Sequence, residues 1–168
     1  MVTKSQQAVI ALGGNIGDVL PYFRTARDAL NALDGCHVAA TSPVYRTPPI
    51  GPQDQDDYDN AVLLLHTHLP PLALLDALHA IEQSCHRERL VHWGARTLDL
   101  DMIDYAGQCY HDERLTLPHV EAHARAFVLL PLADLLPHWQ HPRLQRGIST
   151  LLADCACAGI RLRCKDWC

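Results

Sequence analysis

Asp99 and Asp101 stand one residue apart in the run Arg-Thr-Leu-Asp-Leu-Asp-Met at positions 96–102. In an extended strand alternate side chains share a face. Thr97, Asp99, Asp101 and Ile103 then fall on one side, and Leu98, Leu100 and Met102 on the other, where they pack on a core. The two carboxylates project together, with Cα atoms roughly 6–7 Å apart. Hard oxygen ligands so placed hold one or two magnesium ions. A pair of such ions clamps the attacking and leaving oxygens of a displacement at phosphorus. Taken alone, the pattern is equally that of a half-buried strand with a solvated face. The neighbours favour phosphate chemistry. Arg96 directly precedes the strand, and Arg87 and Arg89 lie in the polar segment before it. Arginine suits bidentate contact with phosphate oxygens. Glu82 lies four residues after Leu78 on a helical stripe, near a helix end where the macrodipole disfavours a carboxylate and calls for a partner.

The elements that must position these groups follow from apolar periodicity and turn residues. Residues 9–12 read as a strand running into Gly13 and Gly14. The segment Gly-Gly-Asn-Ile-Gly-Asp at 13–18 lacks the Gly-Lys-Ser/Thr ending of a Walker phosphate loop, so its glycines are assigned to turn geometry. Pro21 opens a helix with a stripe of Phe23, Ala26, Leu30 and Leu33, and Gly35 ends it. Residues 37–46 form a second strand, 47–59 a loop and 61–67 a third strand. Leu74, Leu75, Leu78 and Ile81 mark a second helix, residues 85–94 are irregular, and 97–105 form a fourth strand. The order βαββαβ predicts an α+β, ferredoxin-like core: an antiparallel sheet with helices packed on one face. The part after Pro118 is expected to be mainly helical, with helices near 127–136 and 144–156, and residues 1–168 to be one domain.

Composition narrows the function classes. Hydrophobic residues make up 48% of 168, which suits a globular fold. The net charge of −5 argues against a general nucleic-acid binder. No apolar run approaches the roughly 20 residues of a membrane span, and the N-terminus lacks an apolar signal core, so a cytoplasmic location is expected. Seven cysteines without a Cys-x-x-Cys pair read as free thiols in a reducing compartment more readily than as a zinc site.

Five segments together resemble the 6-hydroxymethyl-7,8-dihydropterin pyrophosphokinase family. They are Ala-Leu-Gly-Gly-Asn-Ile-Gly-Asp at 11–18, Ser-Pro-Val-Tyr-Arg-Thr-Pro-Pro at 42–49, Tyr-Asp-Asn at 58–60, Trp-Gly-Ala-Arg-Thr-Leu-Asp-Leu-Asp at 93–101 and Arg-Leu-Thr-Leu-Pro-His at 114–119. The resemblance implies attack of a pterin hydroxymethyl oxygen on the β-phosphorus of ATP, with AMP leaving, in folate biosynthesis. It implies that Asp99 and Asp101 bind two magnesium ions, and that Arg87 and Arg96 stabilise charge on the transferred group. Glu82, Arg89, Trp93, Met102, Arg114, Thr116, His119 and Arg125 would surround ATP. Tyr58 and Phe127 would sandwich the pterin ring, and Asn60, with Thr47, Pro48 and Ile50, would read its polar edge. The partners expected are these two small molecules, with no nucleic acid and no membrane, and the chain is expected to act as a monomer.

The chain departs from the family pattern at His86, His92, Ala95 and Val120. His92 stands in place of an arginine, which predicts weaker ATP binding that improves as the pH falls towards 6. Two other classes fit the residues alone: a different magnesium-dependent phosphoryl or nucleotidyl transferase, and a non-enzymatic ferredoxin-like binding module.

Overall fold

The computed structural model describes residues 4–49, 51, 53–85 and 97–168. In chain order its elements are β1 (Gln6–Gly14), α1 (Leu20–Ala32), β2 (Cys36–Thr41), β3 (Val44–Thr47), β4 (Tyr58–Thr67), α2 (Pro71–Ser84) and β5 (Asp99–Tyr105). The short pair β6 (Tyr110–His111) and β7 (Thr116–Leu117) follows, then a 3-10 turn at Ala122–Ala124, α3 (Ala126–Leu135), α4 (Ile148–Ala153) and β8 (Arg161–Cys164). Six strands form one antiparallel sheet. β1 lies between β4 and β5, β4 also pairs with β2 and β3, and β8 closes the far edge on β3.

The sheet buries both faces. Ala8, Ile10 and Leu12 of β1 point into a core with Phe23, Ala26 and Leu30 of α1 and Leu74, Leu78 and Ile81 of α2. Val9 of β1, with Val62 and Leu64 of β4, points the other way onto Val128, Leu129 and Leu132 of α3 and Ile148 and Leu151 of α4. Helices therefore cover two faces, not the one face expected. The period-2 alternation of the strands sorts the side chains between the cores. Leu100 and Met102 of β5 join the first core as the sequence predicts, and Asp99 and Asp101 face the α3 side. A bulge opposite Val9 and Ile10 leaves Ile103 unpaired in the β1–β5 register. The residue after it, Asp104, is turned by the bulge onto the α3 side, where its buried carboxylate accepts bonds from Trp139 Nε1 at 2.9 Å and Gly107 N at 3.0 Å.

Several boundaries differ from the sequence reading, each for a local reason. The expected strand at 37–46 breaks in two at Ser42-Pro43. Proline has no N–H to continue the ladder, and Ser42 Oγ instead accepts from Val62 N at 2.8 Å. β4 starts at Tyr58, three residues before the expected position, because residues 58–60 pair with β3 on one side and Gly13 and Gly14 of β1 pair with 59–60 on the other. The C-terminal part is less helical than expected. The predicted helix at 144–156 shrinks to α4, because His141 Nδ1 accepts from the amides of Arg143 and Leu144 and holds residues 141–146 as a turn. β8 was not anticipated, since Arg-Leu-Arg-Cys carries little strand signal. Beyond β8, Trp167 is buried edge-on to Phe23 at 5.7 Å and donates Nε1–H to Ser42 O at 2.8 Å, so the end of the chain is stitched into the first core. No helix among the described residues is long and apolar enough to cross a membrane.

His141 gives the fold a pH dependence. Its ring is buried, and Nε2 is without a hydrogen-bond partner among the described residues. Burial, then the nearby His123 and Arg143, hold its pKa below 6.5. The folded state thus disfavours protonation relative to the unfolded chain, and stability is lost as the pH falls from about 6.5 through the lower folded value. His141→Asn keeps an acceptor for the two turn amides and removes the titration. Its urea midpoint between pH 7.5 and 5 should fall less steeply than that of the parent.

Candidate active site

The site is built on β1, between β4 and the edge strand β5. On the α3 side of the sheet, β1 presents Ala11 and Gly13. Gly13 lies between Asn60 of β4 and Asp99 of β5, and Ala11 between Val62 and Asp101. Strands are about 4.8 Å apart, so Asn60 and Asp99 stand about 10 Å apart across a residue with no side chain. The small residues make the floor of a cavity. Its walls are Thr47, Pro48, Tyr58, Asn60, Asp99, Asp101, Arg125, Phe127 and Val128.

The polar groups in this cavity are fixed by their neighbours. Asn60 and Thr47 are both buried, and Asn60 Nδ2 donates to Thr47 Oγ1 at 2.9 Å. This turns Asn60 Oδ1 over Gly13, where a Cβ on that glycine would lie 3.2 Å from it. The Tyr58 hydroxyl lies 3.4 Å from Gln55 Oε1. Asn15 donates to Gln55 Oε1 at 3.1 Å and to Asp56 O at 2.8 Å, which ties the turn after β1 to the segment before β4. Arg125 stacks over the Phe127 ring, 5.6 Å from its centroid, and pairs with Glu121 one helical turn earlier.

A second groove runs along the other edge of β5. Leu75, His79 and Glu82 of α2, Leu100, Asp101 and Met102 of β5, and His111, Asp112, Arg114, Thr116, His119 and Val120 line it. Glu82 is buried within α2, so the helix does not fray there. Arg114 is held across the groove by an ion pair to Asp76 of α2. Asp112 anchors the β6–β7 turn, accepting from the amides of Arg114 at 2.7 Å and Leu115 at 2.8 Å and from the Tyr110 hydroxyl at 2.9 Å. Those bonds, the Arg114 amide foremost, pull its pKa down. His119 hangs from β5 by its backbone N–H to Ile103 O at 2.9 Å. Burial lowers its pKa, with the Asp101 charge opposing.

Asp101 lines both the cavity and the groove. The carboxylates therefore stand where a molecule on the sheet face would meet one lying along the β5 edge. Thr47, Pro48, Tyr58, Asn60 and Phe127 gather in the cavity, and Glu82, Met102, Arg114, Thr116 and His119 in the groove. Arg125, expected with the groove set, lines the cavity instead. Ile50, His86, Arg87, Arg89, His92, Trp93, Ala95 and Arg96 lie outside the described residues. Sequence reasoning missed Ala11 and Gly13 as the floor and His79 and His111 in the groove. Gly13 carried a signal, as a glycine within a strand marks close approach of something else, but it stands one residue from the end of β1 and read as part of the turn.

The sequence profile of the 7,8-dihydro-6-hydroxymethylpterin-pyrophosphokinase family matches residues 9–137. The chain belongs to that family. It is 45% identical over 128 residues to the 2-amino-4-hydroxy-6-hydroxymethyldihydropteridine pyrophosphokinase of Haemophilus influenzae, covering 76% of this chain and 80% of that one. It is 44% identical over 155 residues to the enzyme of the same name from Pseudomonas aeruginosa, covering 92% and 95%. Among solved structures, a Plasmodium falciparum HPPK-DHPS triple mutant superposes with a TM-score of 0.72 at 17% identity, which speaks to the fold. That match covers 90% of this chain and 44% of the Plasmodium chain.

The two adjacent glycines of the family segment serve opposite faces of β1, and neither has positive φ; in the run 13–18 only Gly17 does, at 67°. A Cβ on Gly14 would lie 2.6 Å from Thr97 O and 3.0 Å from a methyl of Val19, so backbone at the head of β5 must move. A Cβ on Gly13 meets only the Asn60 side chain and, at 3.9 Å, Asp59 O. Gly14→Ala should lose about 1–3 kcal/mol of stability in urea denaturation, and Gly13→Ala markedly less.

Proposed function

We infer that the cavity and the groove are the two substrate sites of a pterin pyrophosphokinase of folate biosynthesis, meeting at Asp99 and Asp101. The reaction moves the pyrophosphoryl group of ATP to the hydroxymethyl oxygen of 6-hydroxymethyl-7,8-dihydropterin. The oxygen attacks the β-phosphorus, its bond to the α,β-bridging oxygen breaks, and AMP leaves. The observation that carries the assignment is Asp101, which lines both spaces.

In this reading the flat pterin enters the cavity between Tyr58 and Phe127, since aromatic faces favour offset stacking. Gly13 leaves room beneath it. Asn60 Oδ1, aimed by Thr47, accepts from the pterin's polar edge, and Pro48 flanks that edge; Ile50 is assigned to it by family resemblance alone. ATP lies in the groove, with Met102 against the base and Glu82, Arg114, Thr116 and His119 around the nucleoside and phosphates. Arg125 at the cavity rim reaches the phosphates from the pterin side. Arg87, Arg89, Trp93 and Arg96 complete the nucleotide site by family resemblance.

The residues present fit magnesium. Among the described residues no group of three or more His, Cys, Asp or Glu side chains is placed to hold a metal by itself. Two carboxylates alone suit an ion that keeps waters and takes phosphate oxygens as further ligands. Asp99 and Asp101 would hold two such ions, which when bound neutralise charge on the triphosphate. The chain's own groups align attacking oxygen and phosphorus and keep the site dry, and this positioning supplies much of the catalysis of phosphoryl transfer.

We read the core as a ferredoxin-like sandwich with an added β8, a reading supported by the strand order, with the edge strand β5 followed by β1, β4 and the β2–β3 segment. We read residues 1–168 as one domain, a reading supported by the burial of Trp167 in the first core, and propose that it works as a cytoplasmic monomer.

Incubation with ATP, magnesium and the hydroxymethyl pterin should release AMP in step with pterin pyrophosphate. Asp99→Asn and Asp101→Asn should each cut kcat by roughly two to three orders of magnitude. Release of ADP, or variants that turn over normally, would contradict the assignment.

A further inference from the structure

Behind the pterin cavity, on the opposite face of the same strands, lies a ladder of charge. Asp59 sits between Tyr58 and Asn60, so its side chain points away from theirs. It is buried at 3% exposure. Arg46, its direct partner on β3, binds it with both Nε at 2.9 Å and Nη2 at 3.1 Å. Arg163 of β8 reaches the same carboxylate with Nη1, and its Nη2 bonds Asp18 at 3.2 Å. Arg161, two residues earlier, pairs with Asp57 at 3.1 Å. Asp18 also accepts from the Leu20 amide at 3.3 Å, where the turn after β1 enters α1. One guanidinium thus joins the end of the β1 turn to the start of β4. These are the segments that carry Gly13 on one side and Tyr58 and Asn60 on the other. β8 lies beyond residue 137, outside the stretch that the family profile matches.

We propose that Arg163 is a positioning residue for the pterin subsite, a clamp from the C-terminal strand that sets the spacing between the β1 floor and the Tyr58–Asn60 wall. It touches neither substrate in this arrangement. Asp59 is buried, and removing one of its two arginines leaves the carboxylate half compensated in a low-dielectric site. The start of β4 then relaxes towards solvent, and a shift of a fraction of an ångström misplaces Asn60 Oδ1. Among the described residues, none of the clamp lines the groove along β5, so the effect is expected on the pterin side.

This inference rests on the assignment of the cavity to the pterin, and the test separates the two. Arg163→Ala should raise KM for the hydroxymethyl pterin roughly five- to tenfold while KM for ATP stays within about twofold. Arg163→Lys, which restores one point charge, should recover part of the loss. Should Arg163→Ala fail to fold, Arg163→Gln, which keeps length and a donor, carries the same comparison. An unchanged pterin KM, or a parallel rise in both KM values, overturns the proposal. Asn60→Ala is the control on the cavity itself: if it leaves the pterin KM unchanged, the assignment of the cavity fails instead.

Discussion

The arrangement of the site depends on the pairing of β1 with β4 on one side and β5 on the other. That double pairing sets Asn60, Gly13 and Asp99 in one row and Val62, Ala11 and Asp101 in the next. Strand spacing then fixes how far Asn60 stands from the carboxylates, and the absence of a side chain at Gly13 leaves the gap open. A larger residue there would fill the floor, and a slip of one register would turn Asp99 and Asp101 into the first core. The two hydrophobic cores hold that register, because each strand side chain has only one face on which it is buried well.

The faces of the sheet divide the labour. The α1–α2 face is apolar under β1, β5 and most of β4 and becomes charged at the start of β4, where Arg46 of β3 and Arg161 and Arg163 of β8 meet Asp57 and Asp59. The α3 face is apolar where Val62 meets Leu129 and opens to the cavity where the β1 side chains become small. The edge of β5 is left for a groove, roofed by the β6–β7 pair and walled by α2. Phosphoryl transfer between two bound molecules asks for this kind of junction, in which each substrate has its own wall and the reacting atoms share one.

Much of this was legible in the sequence. Alternation placed Asp99 and Asp101 on one face of a strand whose other face carries Leu98, Leu100 and Met102 into the core, as the structure shows. The helical stripe ending at Glu82 was visible for the same reason: its period survives without tertiary help. What was not legible depends on contacts distant in the chain. Tyr58 looked like a loop residue and Asn60 fell between the loop and the strand, because their strand character comes from neighbours on both sides. β8 has four residues and a weak β signal, and Trp167 gives no local hint that Phe23 and Ser42 lie next to it. Helices on the second face were foreseen as helices, but nothing local says which side of a sheet they cover.

The most direct test of the account is a crystal structure with the hydroxymethyl pterin, a non-hydrolysable ATP analogue and manganese in place of magnesium, read by anomalous scattering. The account predicts metal between Asp99, Asp101 and the triphosphate, pterin over Gly13 within hydrogen-bond reach of Asn60, and nucleotide along β5. Metal bound away from both carboxylates, or the pterin and nucleotide in the opposite sites, would contradict it.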